Sequence, residues 1–304
     1  MANFWSRPRS TVPVISLNDC SHYGFLLFSL MSASSLSYLS LLLLYTRAAF
    51  AGYFPLREYA GATFYDRWEF TDSIDDKTWG NTTFLSRAAA NASSLISFNS
   101  AGNVILKVDD TTTIAPGELV HRNTVRIVSE DAYPVGSVII ADMVHMPYGC
   151  SVWPSFWLLG DGPEWPESGE IDIVEGINIT HTSDCLTVSG TDNNGCITEE
   201  TKANSYGAGG VFMWFWSRPD VPKSISESTS SSSIDLTDWG LPSAAYPATS
   251  CNVTQYFQPR KMIMDITLCG LWAGVPSLYA STCPGNCVAD NIIGDGSNYK
   301  DAYF

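Results

Sequence analysis

What most limits the fold is something the chain lacks: after residue 50 no amphipathic helical stretch of useful length appears. Short runs rich in Val, Ile, Thr and aromatic residues recur instead at 63–70, 104–108, 124–128, 137–143, 153–159, 170–175, 211–216 and 262–268. Gly, Pro, Asn and Ser punctuate them. Strands this short hide their apolar faces only by stacking as two layers, so the expected fold is all-β. A sandwich or jelly roll would leave one concave sheet open to a polymer. A chain of 304 residues is long enough for one such domain with a sizeable core. Residues 222–250 are rich in Ser, Pro and Thr. Asp235-Leu236-Thr237-Asp238-Trp239-Gly240 and the later strand-like runs make them a continuation of the domain, not a linker.

Chemistry concentrates in residues 169–176, where Glu170, Asp172 and Glu175 stand among strand-favouring Ile and Val. Side chains alternate along a strand, so Glu170 and Asp172 share one face and Glu175 falls on the other. One extra residue, a β-bulge at Ile173-Val174, would bring all three acids to one wall of a cleft. Crowded carboxylates raise one another's pKa. That cost has a purpose if one acid stays protonated while another stays ionised, the pairing used on glycosidic bonds. The plainer alternative is three acids on a solvated strand edge. Trp153 and Trp157 precede the acids and suit either a platform for the apolar face of a sugar or the core. Trp165 is placed to line the rim.

The acid run resembles the signature of glycoside hydrolase family 16, and its surroundings resemble the fungal laminarinase-like endo-1,3(4)-beta-glucanase branch. Further blocks carry the likeness in order: Arg122-Asn123-Thr124-Val125-Arg126-Ile127, His145-Met146-Pro147-Tyr148-Gly149-Cys150, Trp153 to Trp157, and the run from Asp265 to Gly274. The likeness extends from about residue 61 to residue 304. It weighs against the solvated-edge alternative. By resemblance the fold is a concanavalin-like β-jelly roll and the reaction is endo-acting, retaining hydrolysis of β-1,3 or mixed β-1,3/1,4-glucan. Glu170 would be the nucleophile, Glu175 the general acid/base and Asp172 the helper that tunes the nucleophile. A retaining pair needs carboxyl groups about 5–5.5 Å apart, within reach on one face of a bulged strand. Arg122 and Asn123 would donate to sugar hydroxyls beside Trp153 and Trp157. The mechanism requires no cofactor. No clustered oxygen-ligand loop marks a structural cation site, and no metal ligands are assigned. The expected partner of this monomer is β-glucan. A cell-wall β-glucan transglycosylase and an inactive β-glucan-binding protein are the alternatives, and crowded carboxylates argue against the second.

The balance of 31 acidic against 16 basic residues, a net charge of −15, excludes a nucleic-acid footprint, since no basic cluster exceeds Arg7-Pro8-Arg9. Residues 23–45 are nearly uncharged and long enough to cross a bilayer, which suggests membrane association through a signal anchor. Alternatively, translation from Met31 makes Leu36 to Tyr45 the core of a signal peptide, cleaved after Ala49-Phe50-Ala51. Either reading sets residues 1–51 apart from a domain over 52–304 and implies a secreted or cell-surface protein. Sequons at Asn81, Asn91, Asn178 and Asn252 agree weakly with secretion. Beyond Cys20 there are seven cysteines, an odd number, and the Pro-Gly turn between Cys283 and Cys287 suggests a disulfide-tied loop. The four histidines are too dispersed to form a ligand set.

The chain departs from the family pattern in three places. The stretch after Asn178 is short, with His181 a displaced remnant of the strand expected beside the acids. Residues 210–217 supply one strand where two are expected, and the chain stops at Phe304, short of a terminal strand. The expectation is a jelly roll with missing strands, C-terminally truncated.

Overall fold

The computed structural model describes residues 53–117, 120–162, 165, 167–179, 209–249 and 252–304, plus the backbone of two strands, Val12–Ser16 and Thr187–Ser189. Its largest sheet has six strands: β1 (Trp68–Phe70), β2 (Arg126–Tyr133), β3 (Val152–Gly160), β4 (Glu170–Glu175), β5 (Thr187–Ser189) and β6 (Arg260–Leu268). They lie in the order β5-β4-β3-β6-β2-β1, every neighbour antiparallel.

Alternation along β3 explains how this sheet holds two environments. Val152, Phe156 and Leu158 face inward and pair across to Leu268, Met264 and Met262 of β6, and all six are buried. Burying each such side chain contributes about 1.5–3 kcal/mol relative to leaving it in water. Trp153, Ser155 and Trp157 take the opposite face. β6 is buried from Met262 to Leu268 on both faces, as a central strand covered on each side by side chains is.

Shorter pairings make up the rest: Ser73–Ile74 with Thr82–Phe84 and Arg122–Thr124, Ile96–Phe98 with Val104–Leu106, and Gly210–Met213 with Ala244–Pro247. Phe64, Trp68, Leu106, Ile127, Phe156, Ile266 and Phe304 belong to one buried cluster. The architecture is the expected all-β jelly-roll sandwich. Among the described residues the helices are short, the longest α-helix being the seven residues Pro276–Thr282. In the Ser-rich region Ile225, Ile234 and Trp239 are buried, and Trp239 meets Trp214 and Trp216 edge-on at 5.2 Å.

Several expectations need adjusting. A strand does run beside the acids, since Thr187–Ser189 pairs with Glu170–Asp172. Among the described residues, 210–217 supply one strand, Gly210–Met213, as expected. The last residues pair with the chain at Leu106: the Phe304 amide donates to Leu106 O at 2.8 Å and the Val108 amide to Ala302 O at 3.0 Å. His145 stacks on Tyr303 at 3.8 Å and joins its carbonyl through Nδ1.

Cys283 and Cys287 do not pair with each other. Cys283 bonds Cys150, just before β3, and Cys287 bonds Cys269, at the end of β6, so the loop is pinned to two central strands. Cys20, Cys185, Cys196, Cys251 and His181 lie outside the described residues. The Asn178 sequon is no glycan acceptor in the folded chain. Its side chain is buried, accepts the Ser151 amide at 2.8 Å and donates to Ala273 O. Against the expected membrane association and signal-anchored form, no helix among the described residues is long and apolar enough to cross a bilayer. Residues 23–45 and the cleavage site before Gly52 lie outside the described residues.

Candidate active site

β4 enters the sheet through Gly169, whose φ of +80° suits only a residue without a side chain here: a Cβ would lie 2.7 Å from both Tyr256 O and the Phe257 ring. Opposite β4, β3 sets Leu159 against Glu170, Trp157 against Asp172, Phe156 against Val174 and Ser155 against Glu175. The register slips between Phe156 and Trp157, leaving Ile173 as the extra residue. This is the bulge expected at Ile173-Val174. Opposed residues share a face, so Glu170, Asp172 and Glu175 stand on the Ser155 and Trp157 side while Ile171 points to the core.

Two indoles hold the outer acids. Trp165 donates through Nε1 to Glu170 Oε2 at 2.6 Å, although its ring is 65 % exposed. Trp153 donates through Nε1 to Glu175 Oε1 at 2.7 Å, with the Ser155 hydroxyl 3.5 Å from the same oxygen. Burial first, then the Asp172 charge, push the Glu170 carboxyl from its ordinary 4.5 up to about 7. The Trp165 bond opposes them, Glu175 adds a smaller push upward, and Arg126 pulls downward. A carboxyl raised this far is partly protonated near neutrality, which suits acid/base chemistry, whereas attack on carbon needs its ionised form.

Trp153 meets Trp272 edge-on at 5.3 Å. Trp157 donates to Asp265 Oδ1 at 2.8 Å, and the Arg126 guanidinium lies over its ring, 5.3 Å from the centroid. Both indoles are therefore built into the wall, half-buried, rather than laid flat for a ligand.

Arg122 is not in the cleft. Its side chain is fully buried and donates to four backbone carbonyls, those of Asp109, Thr112, Ile292 and Gly294, at 2.8–3.1 Å. A guanidinium so engaged has no reach to a sugar, which corrects the expectation for this residue. Asn123, its half-buried neighbour, accepts the Asp109 amide on its own carbonyl. The block from Arg122 to Ile127 looks like one strand in sequence, but pairing breaks at Val125. Arg122 therefore serves the interior while Arg126 joins β2 and the acids, a division that alternation alone does not reveal. Ser155 and Asp265 were missed for a related reason: each reaches the site only through cross-strand register. Among the described residues no group of three His, Cys, Asp or Glu is arranged to hold a metal ion.

A family model described as the XgeA-like, catalytic GH16 domain matches residues 68–206 and 179–304. The chain belongs to glycoside hydrolase family 16. It is 34% identical over 297 residues to a probable glycosidase of Schizosaccharomyces pombe, with 83% of this chain and 67% of that protein covered. To a probable endo-1,3(4)-beta-glucanase of Aspergillus fumigatus it is 31% identical over 292 residues, covering 80% of this chain and 43% of the relative. The family 16 chain thus spans about two thirds of the first relative and less than half of the second. Family 16 Laminarinase 16A from Phanerochaete chrysosporium, solved with 6-O-glucosyl-laminaritriose in donor and acceptor sites, superposes with a TM-score of 0.66 at 28% identity. That match covers 80% of this chain and 93% of the laminarinase. An elongating family 16 beta-1,3-glucosyltransferase superposes with a TM-score of 0.64 at 29% identity, covering 80% and 94%.

Proposed function

We propose that this family 16 chain hydrolyses β-1,3 or mixed β-1,3/1,4-glucan within the polymer, with retention of configuration. Glu170 is the nucleophile, Glu175 the general acid/base and Asp172 the residue that tunes Glu170. The bulge at Ile173 carries the reading, because a regular strand would point Glu175 away from Glu170. The activities by which the Aspergillus relative and the Phanerochaete laminarinase are named suggest the substrate class.

In the first step a Glu170 oxygen bonds the anomeric carbon as the glycosidic bond breaks, and Glu175 gives its proton to the departing oxygen. In the second, Glu175 takes a proton from water, whose oxygen displaces Glu170. The Trp153 and Ser155 donors converge on Glu175 Oε1 and so favour Oε2 as the oxygen that carries the exchanged proton. The Trp165 bond favours the ionised form of Glu170 and, by engaging Oε2, leaves Oε1 for the attack. We assign Trp153, Trp157 and Asn123 to the cleft lining, with Trp165 beside them.

Reducing-sugar release from laminarin and from mixed-linkage glucan, by the chain and by its Glu170→Gln variant, tests this. Release by the first and none by the second supports it, and a folded wild-type chain with no release refutes it. The likeness to the glucosyltransferase favours one further reading, transfer to a second glycan instead of water. Products longer than an added laminari-oligosaccharide acceptor would establish transfer.

A further inference from the structure

A fourth carboxylate shares the face of the three acids. Register across four strands sets Arg126 of β2 against Asp265 of β6, Asp265 against Ser155 of β3, and Ser155 against Glu175 of β4. Directly opposed residues point to the same side, so these form one row across the cleft floor ending at Glu175. Asp265 is 7 % exposed. Its Oδ1 accepts the Trp157 indole at 2.8 Å and its Oδ2 the Thr267 hydroxyl at 3.3 Å. Trp157 stands opposite Asp172, and Arg126 lies over the Trp157 ring. The proposed reaction gives Asp265 no bond to make, yet burying a carboxylate is costly unless its charge is matched.

We propose that Asp265 is a positioning residue: it holds the Trp157 indole opposite Asp172 and, set against Arg126, shares that cation with Glu170. This rests on the assignment of Glu170 as nucleophile. The Arg126 cation favours ionisation of both carboxyls. The groups facing Asp265 from the packed elements are Arg126 on β2, uncharged Ser155 and Trp157 on β3, Thr267 on its own strand, and Asp75 before the strand Thr82–Phe84. Glu175 lies at the far end of the row, on β4. Burial above all, and Asp75, raise the Asp265 carboxyl above its ordinary range, and Arg126, Trp157 and Thr267 offset only part of that rise. Asp75 has its own anchorage: its oxygens accept the amides of Lys77, Thr78 and Gly80.

Asp265→Asn keeps the shape and an acceptor for Trp157 but removes the charge. With the anion gone and Arg126 left to Glu170, the acid limb of kcat/KM on laminarin is expected to move to lower pH by about half a unit, with KM changed less than about twofold. Arg126→Gln should move the same limb upward. The inference is overturned if a folded Asp265→Asn leaves the limb in place. If that variant does not fold, an unmoved limb in Arg126→Gln overturns it equally. A substrate-free readout separates this from the proposed reaction: the pH above which thermal stability stops falling marks Glu170 ionisation and should shift with Asp265→Asn even in an inactive chain. Wild-type inactivity would refute the reaction alone, and an unmoved stability profile would refute the positioning role alone.

Discussion

Glu170 shows how one residue can oppose the fold that carries it. An acid whose folded pKa lies above its unfolded one binds more protons when folded, so stability is fullest below about 4.5 and is lost as pH rises through about 7. Glu170→Gln mimics the protonated form. It should match the wild-type melting temperature at pH 4 and exceed it by about 3 °C at pH 8, read by calorimetry. In the proposed reaction Glu170 acts only when ionised, so the acid limb of kcat/KM should sit near 7. Asp172→Asn removes the larger of the two neighbouring anions and should shift that limb downward while lowering kcat about tenfold or more, measured as a pH–rate profile. Arg122 is the contrasting case of a charge spent on structure. Arg122→Met leaves four carbonyls without their donor and should cost about 3 kcal/mol in denaturant unfolding, with KM of the folded fraction unchanged.

At the scale of the element, the bulged strand β4 is the decisive piece. Deleting Ile173 would leave Glu175 opposite Ser155 on the cleft face, whereas inserting one alanine between Val174 and Glu175 would set Glu175 opposite Pro154 and turn it toward Phe156 and Ile171 in the core. The expected outcome of the insertion is loss of all glucan hydrolysis together with a marked fall in melting temperature, whereas Ile173→Val should retain both activity and fold. Assay and melt on the two variants side by side distinguish loss of alternation from loss of a side chain. Much of this strand was legible in the sequence, because three acids in six residues make no sense on alternating faces of a half-buried strand. The break at Val125 was not, since Arg122-Asn123-Thr124-Val125-Arg126 carries no Gly or Pro to mark it. That break is a tertiary effect: Arg122–Thr124 pairs in parallel with Thr82–Phe84, while Arg126–Tyr133 belongs to the large sheet.

For the whole molecule, two disulfides among the described residues tie the C-terminal loops to the six-stranded sheet. One spans 133 residues and the other 18, both anchored beside the buried strands β3 and β6. Removing the shorter by Cys269→Ser with Cys287→Ser should lower unfolding free energy by about 3 kcal/mol, measured by denaturant titration. The Trp153–Trp272 contact lies just past Cys269, so loosening there is expected to raise KM before it lowers kcat. A connection of this kind escapes sequence reasoning because cysteine spacing does not encode partners. Cys283 and Cys287 sit either side of a turn but face different strands.

By itself the sequence determined the class of fold, the identity of the three acids and the need for a bulge between them. These follow from local rules: strand propensity, the period of two, and the repulsion of like charges. The tertiary structure decided which neighbours those acids have. Trp165 and Trp153 came to the outer carboxyls, Arg126 rather than Arg122 came to the cleft, and Asp265 arrived from a strand 90 residues away in sequence from Glu175. The reason is physical. Cross-strand register and disulfide partnership are set by how two layers bury their apolar faces together, and no single stretch of chain contains that information.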